Sequence, residues 1–275
     1  MDIKDFDKLW LQTPANVSEI KEYWDQRAEE FNNDVFIKEA HKRNSTVIDF
    51  LLSKDMLSSD MEVLDIGCGP GKYSLEFSKK AKSVTGLDIS PKMIQFAKDN
   101  SNKIGAINSD FIMIPWGQVD LEKQNWKKKY DLVFASMCPG INSSETLMKM
   151  VQASKGFCFL SSFANRTDKV KDEFNKVVLG QNINSRGKNK IYYIFNILWQ
   201  SGLYPEICYQ DFKYESQWTL KEAIKVCFLQ FGKNIKDNTK LKKDGEKYLA
   251  SICKNGIIKE TTRSKIAWIY WKTKY

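Results

Sequence analysis

The sequence predicts an α/β protein with a doubly wound, largely parallel sheet, and three observations carry that expectation. An apolar strand, Glu62-Val63-Leu64-Asp65-Ile66, runs into a loop with glycines at 67, 69 and 71. A second apolar strand, Ser83-Val84-Thr85-Gly86-Leu87, ends at Asp88, seventeen residues after Gly71. From there strand-like and helix-like segments alternate, the pattern of βαβ units whose crossover helices cover a parallel sheet. At 275 residues the chain suffices for one large domain with additions or for two small ones.

Taken in order, the N-terminal 60 residues read as a helical cap or lid. Asn16-Val17-Ser18-Glu19 has the form of a capping box, after which Ile20, Tyr23, Trp24, Ala28 and Phe31 recur on one helical face. The core is expected over 61–275. The first strand and its glycine loop lead into a helix at about Lys72–Lys80, and the second strand into a helix capped by Ser90 with Pro91 in its first turn. A third strand is expected at Ile104-Gly105-Ala106-Ile107-Asn108, ending in Ser109-Asp110-Phe111, and a fourth at Tyr130–Ser136. A helix from Ser144 to Ala153 precedes a fifth strand, Phe157–Phe163. A polar helix (Asp168–Leu179), a Gly/Asn/Ser/Lys-rich loop (Gly180–Asn189) and an aromatic helix capped at Gly202 follow. Sixth and seventh strands begin at Tyr204 and Lys265, and between them 216–256 reads as a mostly helical insertion.

The glycine loop has a physical rationale, because a backbone without Cβ takes positive φ and can touch a ligand, while the next helix points its N–H groups at it. A carboxylate such as Asp88, at the end of the neighbouring strand, suits the two hydroxyls of a ribose. A dinucleotide loop of the form Gly-x-Gly-x-x-Gly would need its third glycine at 72, where Lys72 stands.

The observed spacing, Asp65-x-Gly67-x-Gly69-x-Gly71, resembles the first motif of class I S-adenosylmethionine-dependent methyltransferases. The resemblance runs in order over roughly residues 61–140, through Leu87-Asp88-Ile89-Ser90-Pro91-Lys92-Met93, Ser109-Asp110-Phe111 and the fourth strand. Tyr23-Trp24-Asp25-Gln26-Arg27-Ala28 is similar to a helix that lies over the cofactor in many members acting on small molecules. The resemblance implies a Rossmann-like, seven-stranded sheet of order 3-2-1-4-5-7-6 with an antiparallel end. It implies S-adenosylmethionine as cofactor, held by Asp65, Gly67, Cys68 and Gly69, by Asp88, Ile89 and Met93 at the ribose, and by Asp110 and Phe111 at the adenine. Tyr23, Arg27, Ser136 and Met137 would meet the methionine end, where the acceptor also enters. Trp24 has the alternative reading of a core aromatic.

Composition narrows the chemistry. His41 is the only histidine, so a Ser-His-Asp triad and a His-rich metal site are excluded by inventory, and His41 itself reads as a helix-surface residue. The six cysteines include no Cys-x-x-Cys pair, which argues for a reducing, cytoplasmic setting without a metal module. Charges at Asp2, Lys4, Asp5, Asp7 and Lys8 interrupt any secretory pattern, and the longest apolar run, Ile191–Trp199, is too short to span a bilayer. The net charge of +9 is spread along the chain, with Lys127-Lys128-Lys129 and Lys240–Lys243 in polar connections, as expected of a solvated face.

Ala135-Ser136-Met137-Cys138-Pro139-Gly140-Ile141 lacks the Asp/Asn-Pro-Pro-aromatic sequence of methyltransferases acting on planar nitrogens. The expected acceptor is therefore a small molecule. An RNA methyltransferase and a non-catalytic S-adenosylmethionine-binding protein are the alternatives. Tyr23 and Cys138 are the candidate catalytic side chains. Cys68 and Cys138 flank one crevice, either as small buried hydrophobes or as soft ligands to the acceptor.

Overall fold

Strands β1 (Glu62–Ile66) and β4 (Tyr130–Ser136) lie side by side in the middle of the sheet. Their near-continuous apolar runs are what a strand covered on both faces requires. The computed structural model describes residues 1–10, 16–36, 38–181, 190–231, 235 and 238–273. The side chain of His41 and, from residue 182, the loop expected at 180–189 lie outside the described residues.

The other strands are β2 (Ser83–Asp88), β3 (Ser109–Met113), β5 (Ser154–Asp168), β6 (Glu206–Thr219) and β7 (Ile257–Lys272). One seven-stranded sheet joins them in the expected order, β3-β2-β1-β4-β5-β7-β6. Strands β1 to β5 pair in parallel, with Leu64 in register with Thr85 and Val133. Strand β7 runs the other way. The Thr273 N–H donates to Gly156 O at 2.8 Å and the Thr262 hydroxyl to Asp168 at 2.6 Å, so position falls along one strand as it rises along the other.

The helices are α1 (Ile3–Trp10), α2 (Val17–Asn33), α3 (Lys38–Ser53), α4 (Ser74–Ser78), α5 (Pro91–Ile104), α6 (Ser144–Ala153), α7 (Lys169–Leu179), α8 (Lys190–Gln200), α9 (Leu220–Gln230) and α10 (Thr239–Ile252). Ser90 caps α5 as expected, its hydroxyl accepting the Met93 N–H at 3.1 Å. Among the described residues no helix is long and apolar enough to cross a membrane.

Two compact units emerge. The first comprises Met1–Ser162, Tyr192–Cys208 and Trp268–Tyr275. Its core includes the stacked rings of Phe134 and Phe159, 5.0 Å apart, with Phe77 edge-on to Phe134. Phe6 and Trp10 of α1 rest on Tyr193 of α8, and Asp7 accepts the Ser144 N–H at 2.7 Å and the Ser144 hydroxyl. The second unit comprises Phe163–Ile191 and Tyr209–Ala267. Val170, Phe174, Ala223, Cys227 and Leu249 form its core, where Gly245 leaves room for the Phe174 ring. Glu260 of β7, itself buried, accepts the N–H groups of Val170 and Lys171 at 3.1 and 3.3 Å and so caps α7 from across the unit.

Strand β3 departs from expectation. Ile104 closes α5, and Gly105 takes a left-handed φ of 68° as its C-cap, so the apolar run 104–107 is a helix end and turn, with Ile107 wholly exposed. Strands β5, β6 and β7 also extend well beyond their apolar cores, and residues expected to open a helical insertion, 216–219, belong to β6.

Candidate functional site

The loop after β1 is strapped to the end of β2. Gly67 and Cys68 both donate to Leu87 O, at 2.7 and 3.0 Å, and Gly69 donates to the Asp88 carboxylate at 3.0 Å. Gly67 has a φ of 72° and Gly69 one of 55°, conformations that cost a Cβ-bearing residue strain. At Gly67 space is limiting too, since a Cβ would fall 2.7 Å from Cys138 Sγ. Gly69 is open apart from Met93 Sδ, 3.9 Å from where its Cβ would stand.

Asp88 is half-buried and accepts one backbone N–H on each oxygen, from Gly69 and from Ser90 at 2.9 Å. Burial raises its pKa, while the N–H groups of Ser90 and Gly69 hold it down. Each carboxylate oxygen keeps a lone pair for another donor. That leaves a two-hydroxyl acceptor at the strand end, which fits the ribose of S-adenosylmethionine.

Asp65 is only 2% exposed and accepts the Ser74 hydroxyl at 2.6 Å. Burial pushes its pKa up to about 7, the Ser74 hydroxyl opposes the rise, and nearby Asp88 adds to it. The side chain therefore braces the first turn of α4 against the loop. Cys68 packs with Ile94, Ala97 and Phe111, and burial first, then Asp65 and Asp88, raises its thiol well above the usual range. Ile89 is half-buried and Met93 is buried beneath the loop.

At the end of β4 the hydroxyls of Ser136 and Ser161 lie 2.8 Å apart, and Met137 N–H donates to Ser161 O at 3.0 Å. Met137 has a φ of 53°, a strained conformation for a residue with a side chain and one that clusters at functional sites. It turns the chain so that buried Cys138 sets its sulfur against Gly67 and Gly140.

Helix α2 is held to the same corner by residues that sequence reasoning did not single out. Asp25 accepts the Ser90 hydroxyl at 2.5 Å and the Lys92 N–H at 3.4 Å, and Asn32 accepts from Asn100, which also donates to Pro70 O. Arg27 donates to Glu30 and, at 3.2 Å, to the Tyr23 hydroxyl, with the Phe31 ring 4.9 Å from its guanidinium carbon. Tyr23 and Arg27 are thus tied to each other within α2.

Asp110 and Phe111 are not brought to the strand ends. The register pairs Asp110 with Thr85 and Phe111 with Gly86, whereas Met113 is opposite Asp88. Asp110 is exposed in mid-strand, and Phe111 is buried against Cys68 and Gly86. The cause is the five-residue displacement of β3 past the Gly105 cap. The chain that follows β3 reaches the site instead, with Ile114 N–H on Asp88 O at 3.0 Å.

Residues 57–198 match the family model described as a methyltransferase domain. The chain is 33% identical over 144 residues to malonyl-[acyl-carrier protein] O-methyltransferase of Acetivibrio thermocellus, covering 50% of this chain and 47% of that protein. It is 33% identical over 78 residues to ubiquinone biosynthesis O-methyltransferase of Pseudoalteromonas translucida, covering 28% and 33%. The match thus spans less than half the length of these curated relatives. In fold it is similar to magnesium protoporphyrin IX methyltransferase of Synechocystis PCC 6803 with bound S-adenosylhomocysteine. That likeness has a TM-score of 0.54 at 14% identity and covers 90% of this chain and 98% of the other.

Proposed function

Because this chain belongs to the class I S-adenosylmethionine-dependent methyltransferases, we propose that it transfers a methyl group from S-adenosylmethionine to a small-molecule acceptor. The observation that carries this reading is the meeting of Gly69 N–H and the Asp88 carboxylate at 3.0 Å. The post-β4 turn reaches the same loop through Cys138 and Gly67. When bound, the cofactor supplies an electrophilic methyl on a positively charged sulfur, so the reaction is an in-line displacement.

Asp88 accepts the ribose hydroxyls, the backbone of 67–71 lies along the methionine portion, and Ile89 and Met93 give an apolar floor. The adenine edge falls to the segment after β3 that begins at Ile114. Asp65 acts through Ser74 and α4. Ser136 and Met137 shape the place where the acceptor meets the methyl, and α2, pinned by Asp25, covers it with Tyr23 and Arg27. The protein's work is orientation and exclusion of water. Neither a catalytic base nor a thiol step is assigned, since Cys138 is buried and Tyr23 is engaged with Arg27.

The small-molecule class is supported by relatives named for malonyl-acyl-carrier-protein and ubiquinone-pathway methylation, and by the absence of an Asp/Asn-Pro-Pro-aromatic sequence at 135–141. None of the six cysteines is in a disulfide, which fits a cytoplasmic setting. Calorimetric titration with S-adenosylmethionine, S-adenosylhomocysteine and NAD tests the reading. Micromolar binding of the first two and none of NAD is expected, and binding of NAD alone would overturn it. Incubation with radiolabelled cofactor and candidate acceptors then separates an enzyme from a binding protein.

A further inference from the structure

From Ile191, the second residue of α8, to Pro205 no charged residue occurs, in a chain of which 28% is charged. A helix that is apolar all round belongs in an interior. Only one side of α8 is inside the first unit, where Tyr193, Ile194, Ile197 and Leu198 are buried. On the other side Tyr192, Phe195 and Trp199 follow one another by three and four residues, a spacing that sets them in one row. Tyr192 is 54% exposed, Trp199 52% and Tyr204, just past the helix, 56%. The row is continuous, with Phe195 stacked on Trp199 at 5.8 Å and Trp199 edge-on to Tyr204 at 5.1 Å. Tyr204 holds this place at a φ of 39°, a left-handed backbone that is strained for a residue with a Cβ. Burial does not offset that strain, because the ring stays exposed.

The surroundings of the row indicate what covers it. Helix α1 lies beside it, with Phe6 edge-on to Tyr192 at 5.8 Å, and carries Asp2 and Asp5 against Lys4 and Lys8. At the other end Glu206 follows Tyr204 and pairs with Lys54 at 3.5 Å. A rim with both signs in balance gives a nucleic acid or an anionic membrane little attraction. The same rim complements its own copy when a two-fold axis sets each sign opposite its counterpart. Nor is the outer side of a helix a cleft of the kind that holds a small ligand. Area agrees with a second copy. A half-open aromatic side chain exposes on the order of 100 Å², so the row presents roughly 350 Å² of apolar surface. A dimer of standard size buries about 800 Å² per partner, a little over half of it apolar. The row therefore supplies most of the apolar centre that each partner needs.

We propose that this protein is a homodimer whose two-fold interface is centred on the aromatic row Tyr192, Phe195, Trp199 and Tyr204, each copy covering the row of the other. The proposal is independent of the cofactor reading, since none of these residues belongs to the proposed site.

Sedimentation velocity over a range of concentrations tests it, with wild type compared with Trp199→Glu, Tyr192→Glu and Val177→Glu. Wild type is expected to sediment as a dimer, at twice the 31.9 kDa of one chain, with a Kd of about 1 µM or tighter. Each α8 variant sets two like charges in a contact emptied of water and is expected to weaken the dimer by about a hundredfold or more. Far-UV circular dichroism of both is expected to match wild type, because the substituted side chains face solvent in the single chain. Either one carries the comparison should the other fail to fold. Val177, 60% exposed on α7, lies outside the row, and its variant is expected to remain dimeric. A wild type that stays monomeric at the highest concentration overturns the proposal, as does a dimer that persists in both α8 variants. A monomeric wild type that co-sediments with phosphatidylglycerol vesicles overturns it in favour of a lipid surface.

Discussion

Asp65 and Asp88 stand at neighbouring strand ends with different surroundings, and each residue makes its own prediction. Burial lifts Asp65 to about 7, against about 3.9 in an unfolded chain. Between those values the folded state keeps a proton that the unfolded state has released, so stability falls as the pH rises through the window. The contribution is complete below about pH 4 and lost above about pH 7. Asp65→Asn retains an acceptor for the Ser74 hydroxyl but does not titrate. Its stability relative to wild type should therefore rise between pH 4 and 7, by an amount on the order of 2–4 kcal/mol. Urea unfolding of both proteins at several pH values measures this, and a flat difference would return Asp65 to an ordinary carboxylate. Asp88, which anchors the loop by Gly69 N–H, should matter instead for ligand affinity. Asp88→Ala removes the proposed acceptor for two ribose hydroxyls and should weaken S-adenosylhomocysteine by about 2–4 kcal/mol in calorimetry. Unchanged affinity would remove it from the site.

At the scale of elements, helix ends were the most legible features, because caps are local. Asn16 before α2, Ser90 and Pro91 at α5, and Thr219 with Glu222 at α9 all occupy capping positions that their residue types announce. The cap of α7 was not readable, since Glu260 arrives from β7, some ninety residues away. Glu260→Ala would leave the N–H groups of Val170 and Lys171 without their acceptor inside the second unit. A loss of about 1–3 kcal/mol in urea unfolding is expected, with Glu260→Gln milder because it still accepts. The same distance hid Asp25, whose partner Ser90 is distant in sequence although its neighbours Tyr23 and Arg27 drew attention. Strand β3 was misplaced for the opposite reason. Ile104-Gly105-Ala106-Ile107 has the composition of a strand, and only the left-handed Gly105 cap shows it to be a helix ending. The outer halves of β5 to β7 were missed because their polar, aromatic alternation lacks the apolar runs of the sheet's centre.

For the whole molecule, the charge of +9 decides between a small acceptor and an RNA only through its distribution. The densest lysine run does not form an open basic stripe. Lys127 pairs with Glu122, Lys128 donates to Val151 O at 3.0 Å, and Lys129 lies over the Tyr130 ring. Elsewhere Lys79, Lys155, Lys213 and Lys265 each have a carboxylate within 3.1 Å. Exposed pairs of this kind add little stability, but they offset the charge of the lysines that form them. An RNA-binding face should instead release several counterions, with the logarithm of affinity falling by about 0.7 per phosphate neutralised for each logarithm of salt. The expected outcome for single-stranded RNA is weak binding with a slope corresponding to no more than about two phosphates, measured by fluorescence anisotropy between 50 and 200 mM salt. A slope several times steeper, with tight binding at the upper end, would move the acceptor to RNA while leaving the Asp88 corner and its cofactor intact, because that corner owes nothing to the net charge.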